Sequence, residues 1–184
     1  MYFYTVGHST RESEEWISLL RYYEIELVVD VRAFPRSRRN PQFNKERLRY
    51  FLSPYGIAYK WMGKKLGGYR KKSEGLGENS PNKGWKTEGF RIYADYMLTS
   101  KFQEAVRKLI DLGEEKKLAL MCAEKLHWKC HRRLISDYLI SQGYEVWHIV
   151  DQDQHRKHHM TKFAMIKNGT LTYPPPQSDF KDFS

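Results

Sequence analysis

The sequence predicts an α/β fold: a mostly parallel sheet of about five strands with helices packed on both faces. Two observations lead there. Short β-branched and aromatic runs alternate with stretches of helical period, in the order βαβαβ and then αβαβ. The run IELVVDVR at 25–32 is apolar almost throughout, as a strand covered on both faces must be.

The elements follow in order. YFYTVG (2–7) is a first strand, and it ends in Gly7-His8-Ser9-Thr10, where Ser9 or Thr10 can cap the next helix. ESEEWISLLRYY (12–23) puts Trp16, Leu19, Leu20 and Tyr23 at helical spacing and acids in the first turn. The second strand (25–32) runs into RAFPRSRRNPQF (32–43), a basic loop broken by Pro35 and Pro41. NKERLRYFLSPYG (44–56) reads as a helix with Asn44 as its cap and Pro54-Tyr55-Gly56 as its end, and IAYKWM (57–62) as a third strand. Residues 63–85 are rich in Gly, Lys and Asn without a hydrophobic period, which predicts a long loop. Helices are expected at 90–99 and 101–115, a fourth strand at 116–123, a helix at 131–143 ending at Gly143, and a fifth strand at 144–150. Residues 1–150 thus read as one α/β domain. Residues 151–184 read as a basic segment and a Pro-rich tail, the last dozen residues being expected to be mobile.

Composition narrows the function classes. No apolar run is long enough to span a bilayer, two cysteines do not make a disulfide scaffold, and the N-terminus lacks the basic and apolar regions of an export signal. A cytoplasmic location is therefore expected. The net charge of +10 and a pI near 9.5 favour polyanionic partners, either a phosphorylated small molecule or nucleic acid. Neither GxxxxGK[ST] nor GxGxxG is present, so the sequence supports neither a P-loop nor a dinucleotide fingerprint, and no cofactor is named.

In a parallel sheet, everything just after a strand emerges on one edge, where ligands bind. Four polar clusters meet that condition. His8 and Ser9 follow strand one. Arg32, Arg36, Arg38 and Asn40 follow strand two, which carries Asp30 inside it. Lys64, Lys65, Tyr69 and Arg70 follow strand three, and Cys122 to Arg133 follow strand four. His8 is a candidate general acid or base. Asp30, a carboxylate in an apolar strand, needs a partner, and His8 and Arg32 are both in reach. Phe34 and Phe43 either stack on bases beside the arginines or tuck into the core. The predicted catalytic set is His8, Asp30, Cys122 and Glu124. The predicted ligand-binding set is Ser9, Arg32, Arg36, Arg38, Asn40, Cys130, His131 and Arg132. Hydrolase or transferase chemistry on a phosphorylated ligand is the leading expectation. A non-catalytic nucleic-acid-binding domain is the first alternative, and a thiol- or sulfur-handling protein using Cys122 the second.

The stretch LALMCAEKLHWKCHRRLISDYL (118–139) holds both cysteines and keeps several readings open. Its Cys-x7-Cys spacing is not that of a zinc knuckle, so no metal ligands are predicted; HRKHH (155–159) joins it only if the fold brings the two together. A strand-end cysteine before a helix N-terminus is a nucleophile layout, but Trp128 stands where such loops carry an arginine. A Cys122–Cys130 redox pair and two reduced, partly buried cysteines remain.

Taken together, TVGHST, VVDVRAFPRSRRNPQFN, LGG, LMCAEKLHWKCHRRLISDYL and VWHI resemble the DUF488 family of uncharacterised proteins, from about Tyr4 to about His148. The resemblance implies a Rossmann-like three-layer α/β sandwich. It also implies one shared set of site positions, running from Gly7-His8-Ser9 through Asp30-Val31-Arg32 to Cys130-His131-Arg132. The bulky KLHW between CAE and CHR departs from the shorter polar segment common in that family.

Overall fold

The computed structural model describes residues 1–176. Its core is a six-stranded sheet in the order β3-β2-β4-β1-β5-β6. The strands are β1 (Tyr2–Gly7), β2 (Leu27–Asp30), β3 (Ala58–Trp61), β4 (Leu118–Cys122), β5 (Glu145–Asp151) and β6 (Gln154–Lys157). The first five are parallel, and β6 returns antiparallel along β5. A separate hairpin, β7 (Met165–Lys167) with β8 (Thr170–Thr172), follows. The chain is an α/β sandwich of the Rossmann-like kind, with one strand more than the sequence pattern indicates. QHRK at 154–157 is exposed at every residue and carries no apolar alternation to announce a strand.

Side chains alternate across the sheet. Phe3, Leu27, Val29, Leu118, Leu120 and Val146 face one layer, made by α4 (Glu88–Met97), α5 (Ser100–Glu115) and α6 (Arg132–Ser141). Val6, Val28, Ala119, Met121 and Ile149 face the other, made by α1 (Ser13–Tyr22) and α2 (Lys45–Leu52). Trp16 and Leu20 of α1 and Leu48 and Leu52 of α2 are fully buried there, as their helical spacing requires.

Three local expectations change. Ser9 takes a left-handed backbone (φ 53°), so α1 begins later, and neither Ser9 nor Thr10 caps it. Asn44 does sit at the N-cap position of α2, but its Oδ1 accepts from the Ser37 amide instead, tying down the basic loop. The segment 63–85 holds a one-turn helix, α3 (Gly63–Leu66), and is pinned to α4. The buried Asp95 carboxylate accepts from Leu76 N (2.8 Å), Ser80 Oγ (2.6 Å) and Asn82 Nδ2 (2.8 Å). The start of the expected tail is also tied in. Leu171 and Tyr173 are buried, and the Tyr173 hydroxyl donates to Asp137 at 2.9 Å. Residues 177–184, where the rest of that expectation falls, lie outside the described residues.

Candidate functional site

The carboxyl ends of β1, β2 and β4 open into two adjoining cavities of about 620 and 340 Å3, which share Arg32, Phe34, Ala123 and Glu124 on their walls. The backbone makes this junction close. The amides of His8 and Ser9 donate to the carbonyls of Cys122 and Ala123, so the loop after β4 continues the pairing with β1. Gly7 lies directly against the Glu124 carbonyl; a Cβ there would collide with backbone, which is why this position takes glycine.

Below the cavities lies a buried polar network. Asp30 takes Arg32 as its partner. The guanidinium reaches the carboxylate through Nε (2.9 Å) and Nη2 (2.6 Å), and the Arg32 amide and Tyr59 hydroxyl donate to it as well. Two further Arg32 donors go to the Phe43 carbonyl (2.8 Å) and to His8 Nε2 (3.2 Å). His8 donates from Nδ1 to the Ser9 carbonyl at 2.8 Å and stacks on Phe43. Burial, followed by the Arg32 charge, pushes its pKa down to about 4. His8 is therefore a neutral ring whose lone pair already faces Arg32. Phe43 belongs to the core, and Phe34 does not.

Above this floor stand the cysteines. Cys122 ends β4 and Cys130 precedes α6; both are free, and both line the larger cavity. Cys130 Sγ meets His131 Nδ1 at 3.4 Å and the Arg132 amide and Nε at 3.5 Å each. His131 is held from its other side, where Nε2 donates to the Val31 carbonyl at 3.0 Å. Gly68 packs on the imidazole, and a Cβ at that position would strike the ring. A hydrogen bond from Cys122, then the charges of His131 and Arg132, hold the Cys130 thiol well below the ordinary range. The same bond and burial push Cys122 up. The two sulfurs are thus held unlike one another, Cys130 toward the thiolate and Cys122 toward the thiol.

The predicted residues divide accordingly. His8, Ser9, Arg32, Arg36, Asn40, Cys122, Glu124, Cys130 and His131 line one cavity or the other. Asp30 and Arg132 lie beneath, fully buried; Arg132 holds the Glu124 carbonyl and Cys130. Arg38 is exposed on the basic loop and lines neither cavity. Lys129, which nothing in the sequence singles out, also lines the larger cavity, and Phe34 pairs with Tyr69 across two loops far apart in the chain. These two rings lie 5.4 Å apart, 69% and 64% exposed, on the wall of the larger cavity. Phe34 lies in an Arg-rich loop and Tyr69 in a Gly- and Lys-rich one, where aromatic residues that are not needed by the core remain available.

The family model described as Domain of unknown function DUF488 matches residues 12–139. No curated protein and no solved structure matches the chain.

Proposed function

Because the chain belongs to the DUF488 family, whose description assigns no activity, we propose its function from the cleft: it binds a phosphorylated ligand bearing an exposed base, a nucleotide or nucleic acid. The exposed Phe34–Tyr69 pair carries this reading. Large aromatics left in water beside a concave site supply stacking faces, worth about 1–3 kcal/mol per base. Arg36, Lys125 and Lys129 on the cavity walls supply the phosphate contacts. Arg32, Arg132 and His8, already committed to internal partners, hold the floor rigid.

Oligonucleotide and mononucleotide titrations test this. Phe34→Ala with Tyr69→Ala is expected to weaken binding at least tenfold at fixed salt, while Arg36→Ala with Lys129→Ala lowers the salt dependence. Unchanged affinity in the aromatic double variant would sink the proposal.

A second reading rests on the Cys130–His131–Arg132 contacts: transferase chemistry on the bound ligand through a thiolate. Sγ of Cys130 forms a bond to an electrophilic carbon or phosphorus, and the leaving group departs with its electron pair. The leaving group takes a proton from the Cys122 thiol; an acceptor hydroxyl or amine of a second ligand then attacks the group, breaks its bond to Sγ and returns a proton to Cys122, which restores the starting pair. A reducing, cytoplasmic setting suits both thiols. Cys130→Ser is expected to keep ligand affinity and abolish turnover; turnover retained in that variant would sink the thiolate reading, and no turnover in the parent would leave a binding domain only.

A further inference from the structure

The fold brings together three histidines that the sequence scatters: His127 in the loop after β4, His148 in β5 and His158 just past β6. One ring nitrogen from each lies within 4.8 Å of the others. His148 and His158 are almost wholly buried, and each is clamped through the nitrogen facing away from the cluster. The Thr5 hydroxyl holds His148 Nδ1 at 2.7 Å. Asp137 holds His158 Nε2 at 2.9 Å, with its carboxylate also accepting from the Thr161 amide and the Tyr173 hydroxyl. These clamps leave His148 Nε2 and His158 Nδ1 aimed at each other, 2.8 Å apart. The His127 ring stacks on His148 with centroids 3.3 Å apart and makes no side-chain hydrogen bond among the described residues.

We propose that His127, His148 and His158 form a binding site for a divalent transition metal of the zinc class, with Asp137 and Thr5 as its outer partners.

Two arguments support this. Imidazole is the ligand of choice for such ions, and metal-bound histidines characteristically anchor their other nitrogen on a carboxylate or a hydrogen-bonding oxygen; here the Asp137–His158 and Thr5–His148 contacts already have that form. Two imidazole nitrogens on one zinc sit roughly 3.4 Å apart, so His148 and His158 need part by only about half an ångström. The stacked His127 needs a side-chain turn, which its half-buried loop position allows. A hydrogen-bonded chain from Thr5 to Asp137 would by itself explain two of the rings. It gives no role to the third, and the metal does. Cys122, Cys130 and His131 also cluster, but the Arg132 guanidinium touching Cys130 Sγ occupies the place where a second cation would have to go. Three protein ligands leave a fourth position open, and the bound ion would tie the loop carrying Lys129 and Cys130 to β5.

Zinc(II) and cobalt(II) titrations of the full, metal-stripped chain test the site, with Cys122→Ser/Cys130→Ser as the thiol-free control. The expected result is one zinc per chain in both proteins, a rise in melting temperature on zinc addition, and a cobalt spectrum without a thiolate charge-transfer band. His127→Gln, in a half-buried loop position, is expected to lose stoichiometric zinc while its metal-free melting temperature stays near that of the parent. Thr5→Val is expected to bind roughly tenfold more weakly. No zinc bound to the parent chain, zinc lost in the thiol-free control, or zinc retained at parent affinity in His127→Gln would each overturn the proposal. None of these readouts depends on ligand binding in the cleft.

Discussion

Cys130 is the residue whose chemistry is most altered by its neighbours. It is nearly buried, yet it receives the Arg132 amide, the Arg132 guanidinium, His131 and the Cys122 thiol. Iodoacetamide labelling followed by mass mapping should therefore modify Cys130 before Cys122, with a rate that rises at a pH well below the ordinary thiol value of 9.0. First labelling at Cys122 would contradict the assignment. Gly68→Ala tests the same contact from the opposite side. The added methyl strikes the His131 ring, so labelling of Cys130 should slow and its midpoint move upward, with the fold retained. The Arg32–Asp30 pair plays a different part. It is an ion pair almost out of reach of water, so Arg32→Ala leaves Asp30 charged and short of donors and should cost about 3–5 kcal/mol in denaturant unfolding.

At the scale of elements, the strand-to-helix turns decide the site, and most of them were readable. The four clusters at the carboxyl edge follow from strand order alone, because parallel strands must release their loops on one side. Contacts between loops were not readable. Asp30 chose Arg32 over His8, Phe43 went inward while Phe34 stayed out, and Arg132 turned beneath the cleft; each was settled by packing between segments far apart in sequence. The segment 63–85 shows the same limit. It has no periodic signal, yet Asp95 of α4 satisfies three donors within it. Asp95→Ala strands those groups and is expected to cost roughly 3 kcal/mol and to open the segment to limited proteolysis at positions protected in the parent. Cleavage unchanged from the parent would mean that the segment is held by something other than Asp95.

For the molecule as a whole, acid is the predicted weakness. The buried His8 ring has a folded pKa of about 4 against an ordinary 6.5, so the unfolded chain binds its proton first. Stability is full above about pH 6.5 and falls as pH drops toward 4, by on the order of 3 kcal/mol for His8 alone. His127 and His148, also depressed, act in the same direction. Urea midpoints measured from pH 8 to pH 4 should decline steadily, and a flat profile would contradict the neutral His8 ring. The cleft makes a global prediction too: three phosphate contacts to a single strand give a slope of log affinity against log salt of roughly −2. The sixth strand adds a last consequence. β6 borders the sheet with Gln154, His155, Arg156 and Lys157, all turned to water. A sheet margin is an open template for another chain's backbone, and cationic side chains along it repel an identical margin approaching from a second molecule. Replacing Arg156 and Lys157 with valine removes that repulsion and is expected to turn a clear concentrated solution turbid.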